Sequence, residues 1–211
     1  GPVKLLLGIR QEYFTDILNY KTNKETRTTQ HAFIPRIGAV VAINQNLNVY
    51  GTWVKGFEPQ SASVQGNPNT GGPFDPEYSQ LFEAGLKGEW FDKRLSTTLS
   101  FFHLQKRNTL YNANDPANPE RLEQVGEETS KGIEMDIAGF ILPNWSIVAN
   151  YAYTHAAITK TATDSEKDFG MQRPNTPRNA FNIWSKYIVP TGALRNFGFG
   201  LGLNAVTKRY G

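Results

Sequence analysis

The chain has 211 residues, 22 of them basic and 19 acidic, no cysteine, and a mean hydropathy of −0.47. No run approaches the ~18 apolar residues of a membrane helix, disulfides and thiolate metal sites are excluded, and a net charge of +3, scattered along the chain, offers no basic stripe to nucleic acid. With 12% aromatics, 19 glycines and 12 prolines, the composition suits an all-β chain, either soluble or membrane-spanning, because a spanning strand shows apolar residues to lipid only at alternate positions.

Period-2 alternation and turn residues divide the sequence into about eight strand-like segments and the start of a further one. The first, Val3 to Tyr20, sets Leu5, Leu7 and Ile9 against Lys4, Arg10 and Glu12. The second, Thr29 to Ile43, sets Phe33, Ile37, Ala39 and Val41 against Arg36, Gly38 and Ala42, and Asn44-Gln45-Asn46 then turns the chain. The third, Leu47 to Phe57, alternates Leu47, Val49 and Trp53 with Asn48, Tyr50 and Thr52. In the fourth, Tyr78, Phe82, Ala84, Leu86 and Trp90 alternate with Glu83, Gly85, Lys87 and Glu89. The fifth runs from Leu95 to about Asn112, and its adjacent Phe101 and Phe102 leave the phase open. The sixth, Glu123 to Gly139, opposes Ile133, Met135 and Ile137 to Glu134 and Asp136. The seventh, Trp145 to Lys160, opposes Trp145, Ile147, Ala149, Tyr151 and Tyr153 to Ser146, Asn150 and Thr154. The eighth starts near Arg178 with Phe181 and Ile183. From Phe197 onward, Phe199, Leu201 and Leu203 alternate with Gly198, Gly200 and Gly202, glycines that leave room for something packed against the wall.

Connections alternate in length. Short ones at Asn44–Asn46, Phe91–Arg94, Leu142–Asn144 and Pro190–Asn196 separate long polar ones at Tyr20–Thr28, Glu58–Pro76, Ala113–Arg121 and Ala162–Thr176. Brief periplasmic turns and extended external loops are the outer-membrane pattern. Segment length agrees, since a tilted span needs roughly 9–11 residues and a soluble strand averages about five or six. In lipid every backbone polar group must be paired, so such a sheet has to close on itself with neighbouring strands. The start, Gly1-Pro2-Val3-Lys4, lacks the basic and apolar regions of a secretory signal, so an exported protein would carry one upstream.

Several pieces, in order, resemble the barrel of TonB-dependent siderophore receptors in its C-terminal half. They are Leu7-Gly8-Ile9-Arg10, Pro35-Arg36-Ile37-Gly38, the run Tyr50 to Gln60, Asp75-Pro76-Glu77, Phe82-Glu83-Ala84-Gly85-Leu86-Lys87, Lys106-Arg107-Asn108, Ser130-Lys131-Gly132-Ile133-Glu134, Tyr151-Ala152-Tyr153-Thr154, Asn175-Thr176-Pro177-Arg178 and Gly198 to Gly202. The resemblance implies a fragment of about eight to nine strands from a barrel of about 22, with a plug inside it. The plug, the TonB box and the last strands would lie outside residues 1–211. It further implies a multi-pass protein in the outer membrane of a Gram-negative bacterium, a ferric siderophore as ligand, and coupling through the missing N-terminal region to TonB-ExbB-ExbD. Iron enters as cargo, with no resident cofactor. Haem, cobalamin or a glycan as ligand, or a passive porin, are the alternatives.

Arg36, Glu83, Lys87, Glu89, Glu134 and Asp136 read as lumen- or plug-facing charges that pair across strands rather than as a catalytic set. Phe57, Phe74, Tyr78, Tyr111 and Tyr210 are aromatics near external ends, able to stack on a siderophore, and Arg107, Arg173 and Arg178 could attract an anionic ligand. Trp90, Trp145, Tyr151 and Tyr153 read as an interfacial girdle. His31, His103 and His155 lie in different strands without acidic partners, so no metal site is expected. Ser100 and His103 point to opposite faces of one strand and cannot act as a catalytic pair. The Asn144-Trp145-Ser146 sequon falls at a periplasmic turn and carries no expectation.

Overall fold

The computed structural model of the chain describes residues 1–18, 25–160 and 169–209. Nine strands follow the alternation: β1 (Val3–Leu18), β2 (Thr26–Ala42), β3 (Leu47–Glu58), β4 (Glu77–Trp90), β5 (Leu95–Asn112), β6 (Leu122–Leu142), β7 (Trp145–Lys160), β8 (Asn179–Ile188) and β9 (Gly198–Val206). They form one antiparallel sheet in which every strand pairs with its sequence neighbours, β1 through β9 in order. Several strands outrun the alternation: β2 begins earlier than Thr29, and β6 continues three residues past Gly139 to Leu142. The one helix among the described residues, α1 (Ala62–Gln65), is a single turn inside the long β3–β4 connection, where no apolar periodicity announces it.

The sheet is a single layer. Among the described residues no large side chain is fully buried, whereas Leu7, Ile9 and Leu201 are at least three-quarters exposed. A soluble sandwich would press one face onto a second layer; here one whole apolar face is left open, which suits hydrocarbon. Register fixes that face. The row Val49–Leu86–Leu99–Met135–Tyr151–Phe181 is apolar across six strands. On the reverse, Asn48, Lys87, Thr98, Asp136, Asn150, Asn182 and Asn204 share one row.

The apolar belt crosses the register at a slant. The row through Phe82 continues as His103, Lys131 and His155, while the last apolar outward residue of β8 is Phe181, paired with Tyr151, four residues short of His155. Over the four steps from β4 to β8 the edge thus retreats about one residue per strand. The turn-side edge moves the same way, from Leu47 in β3 to Trp145, Tyr187 and Phe199 in β7–β9. Strands ~4.8 Å apart and tilted by roughly 40° to the membrane normal require this offset. An untilted soluble sheet would not produce it.

Aromatic rings cover the glycines that the pattern left bare. A methyl group on Gly85 would stand 2.7 Å from the Tyr50 ring, one on Gly132 2.9 Å from Phe102, and ones on Gly200 and Gly202 2.9 and 2.5 Å from the Trp184 indole. The room beside the β9 glycines is therefore filled by the wall itself, a ring from the neighbouring strand that pins the pairing. The same packing settles the Phe101/Phe102 ambiguity, since Phe102 lies inward over Gly132 and Phe101 takes the outward phase opposite Ala84 and Ile133.

Candidate functional site: the polar wall and the external mouth

All six charged residues expected on the lumen side share the polar face, but among the described residues none of them forms an ion pair across strands. Register gives each an uncharged partner: Arg36 faces Gly8 and Val54, Glu83 faces Thr52 and Phe102, Lys87 faces Asn48 and Thr98, and Glu134 faces Ser100 and Ala152. Hydrogen bonds replace the expected ion pairs. The Tyr50 hydroxyl donates to Glu83 Oε1 at 2.6 Å, and the Lys87 ammonium lies 4.8 Å from the Tyr50 ring centroid. Asn150 Nδ2 donates to Asp136 Oδ1 at 2.9 Å, and Asn182 Nδ2 to Asn150 Oδ1 at 3.3 Å. Glu89 pairs four residues along the sequence, with Lys93 at 3.6 Å. Glu134 has no cationic partner among the described residues. The wall thus presents Glu83 and Asp136 held by neutral donors and Glu134 without a counter-ion among the described residues.

The external end is shaped by a bulge. In β5, Arg107 pairs with Glu127 and Thr109 with Gly126, leaving Asn108 unpaired at φ 63°. Asn tolerates that left-handed conformation, and its Nδ2 donates to the Pro76 carbonyl at 3.1 Å. The extra residue inverts the alternation beyond it. Tyr111, which strict alternation from Phe101 would turn outward, instead lies over Gly126 on the polar face and donates to Glu128 Oε1 at 2.8 Å. Arg173 reaches the same oxygen at 3.0 Å. Beside them Lys106 and Thr109 converge on Glu77, at 2.7 and 3.3 Å. Alternation alone could not assemble this cluster, because the bulge has no signal in the sequence beyond the Asn.

The remaining expected ligand contacts separate. Phe57 and Tyr78 are register partners on the outward face, with ring centroids 6.1 Å apart, so the structure does not bring them to Tyr111. Phe74 sits in the β3–β4 connection, its backbone clasped by the Gln65 amide through bonds of 2.7 and 2.8 Å. Tyr210 lies outside the described residues. Arg107 points outward and pairs with Glu127 at 3.5 Å, and Arg178 contributes its carbonyl to the Thr154 N–H. His31, His103 and His155 all take the outward phase.

The β3–β4 connection crosses this end as a stitched strap. Gln60 and Gln30 exchange two bonds, Gln124 grips both the N–H and the carbonyl of Asp75, and Asn67 and Asn69 donate to Glu120 at 3.1 and 3.4 Å.

Comparison with known proteins decides the family. The profile described as TonB dependent receptor-like, beta-barrel, matches residues 1–211. The chain belongs to that family. It is 32% identical to the metal-pseudopaline receptor CntO of Pseudomonas aeruginosa, over 98% of this chain and 29% of the receptor. Among solved structures it resembles the alcaligin outer-membrane receptor FauA of Bordetella pertussis, with a TM-score of 0.76, 25% identity, and coverage of 98% of this chain and 35% of FauA. It also resembles the siderophore receptor PiuA of Acinetobacter baumannii, with a TM-score of 0.77, 24% identity, and coverage of 97% and 30%. The chain therefore spans less than a third of the curated relative. As part of a TonB-dependent receptor barrel, the nine strands lie in the outer membrane of a Gram-negative bacterium, with the apolar belt toward lipid.

Proposed function

We propose that the protein to which these strands belong imports ferric siderophores by TonB-coupled transport. The observation that carries the reading is the two-faced wall: an apolar belt outside, and inside a polar face whose Glu83, Glu134 and Asp136 carry no counter-ion among the described residues, which suits a plug. Glu83 and Glu134 would take basic side chains of that plug, and the TonB-ExbB-ExbD complex would act through the same N-terminal region. Transport is then a change in affinity between two plug arrangements rather than bond chemistry. Ligand contact falls to the Tyr111–Glu128–Arg173 cluster and to Phe74, with Arg173 supplying the cation; Phe57 and Tyr78 act as outer girdle. The receptor names of the relatives, for alcaligin and for metal-pseudopaline, support a metal chelate as cargo. The latter name also favours a second reading, a metallophore loaded with a metal other than iron.

Uptake of radiolabelled metal complexes into cells deleted for the full-length gene, with and without complementation, tests both. Gene- and TonB-dependent accumulation of iron supports the first, of another metal the second. Equal uptake in the absence of TonB would refute active import.

A further inference from the structure

One side chain joins the strap, the β5 bulge and the start of β6. Gln124, opposite Leu110 in register, accepts from the Asp75 N–H through Oε1 at 2.7 Å. Its Nε2 donates to the Asp75 carbonyl and, at 3.2 Å, to the carbonyl of Asn108. Asn108 is the extra residue of the bulge, and its own amide returns to the Pro76 carbonyl at 3.1 Å. Strap and bulge are thus tied to each other at both Asp75 and Pro76. Just before Gln124, the Leu122 N–H donates to the Thr70 carbonyl at 2.9 Å, so β6 itself carries the strap. Gln124 and Asn108 are half-buried, and Pro76 is buried.

A bulge at this point is unfavourable on its own. It leaves Asn108 without a register partner and holds a residue other than glycine at φ 63°. A regular β5–β6 ladder would remove both defects and would turn Tyr111 outward, away from Glu128 and Arg173. The side-chain bonds made by Gln124 and Asn108 oppose that relaxation.

We propose that Gln124 is a positioning residue for ligand capture: by tying the Asn108 carbonyl to the strap, it keeps the bulge formed and Tyr111 facing the mouth beside Glu128 and Arg173. The three bonds need a donor and an acceptor on one planar amide, which Gln124 supplies at the right reach. The ligand role of Tyr111 rests on the import reading above; its placement by Gln124 does not.

The test is peptide-resolved amide hydrogen exchange on the full-length receptor in detergent, without ligand, so its outcome does not depend on what the barrel imports. Gln124→Met keeps the length of the side chain and loses all three bonds. Exchange across residues 109–112 should rise about fivefold, the worth of the bond to Asn108, while β5 below the bulge, at 95–104, keeps its wild-type rate. Tyr111→Phe removes only the hydroxyl that donates to Glu128. It should raise exchange across 109–112 about fivefold in the wild-type background but less than about twofold in Gln124→Met, where the hydroxyl no longer reaches Glu128. If Gln124→Met does not fold, as judged by heat-modifiable mobility, Gln124→Glu replaces it, keeping the acceptor for the Asp75 N–H and losing both donated bonds. Equal effects of Tyr111→Phe in the two backgrounds, or faster exchange confined to the strap at 67–75, would show that Gln124 only anchors the loop and would overturn the proposal.

Discussion

Leu86 and Lys87 are adjacent in sequence and opposite in environment, so exchanging their characters tests the wall directly. Leu86 lies outward between Val49 and Leu99, in the row that is apolar across six strands. An arginine there sits near mid-belt and should cost about 2–4 kcal/mol. Lys87→Leu removes an inward ammonium 4.8 Å from the Tyr50 ring centroid, a contact worth about 0.5–1 kcal/mol at a partly exposed site. The gap of about 2 kcal/mol corresponds to roughly thirtyfold in the folded-to-unfolded ratio. Denaturant-titrated folding of the full-length protein into phosphatidylcholine vesicles, followed by heat-modifiable mobility, should show Leu86→Arg folding only at much lower denaturant than Lys87→Leu. Coincident midpoints, or the reverse order, would refute the assigned facing.

Three further outcomes are expected. Gly132→Ala drives a methyl into the Tyr153 carbonyl oxygen, which cannot move without breaking the β6–β7 register, so it should lower stability by about 1–3 kcal/mol; Gly8→Ala, whose nearest neighbour is 3.7 Å away, should stay within about 1 kcal/mol in the same folding titration. Lys93→Gly should raise stability by up to about 1 kcal/mol, read as a higher denaturant midpoint, because Lys93 holds φ 65° in the β4–β5 turn. Asn108→Val should abolish the bulge that a β-branched residue cannot occupy comfortably, and reduce siderophore binding, read by fluorescence quenching, as far as Tyr111→Ala does. Asn108→Gly, compatible with the same backbone, should retain binding.

Much of the wall was legible because its physics is local. In β4, lipid and water leave their mark on successive residues from Phe82 to Trp90, and short turns such as Phe91–Arg94 close hairpins at positions the residue types mark out. The mouth was less legible because its geometry is not local. One unpaired residue, Asn108, reverses the facing of Tyr111, whereas Phe57 and Tyr78 keep the strict phase and lie outside. Charge pairing failed for a related reason: Glu83, Lys87 and Glu134 are set opposite uncharged residues by register, and register depends on turns and bulges elsewhere. Apolar inward residues such as Val148 and Trp184 break the simple rule as well; Trp184 covers Gly200 and Gly202, a partnership visible only once β8 and β9 are aligned.

The most direct measurement is a nitroxide scan of β4 in the full-length receptor reconstituted in liposomes, recording collision with oxygen, which concentrates in lipid, and with a water-soluble nickel chelate. Labels at positions 82, 84 and 86 should favour oxygen strongly, and those at 83, 85 and 87 should not, giving a period of two along the strand. Equal oxygen contact at both sets, or burial of both from either reagent, would mean that β4 does not separate lipid from a polar interior.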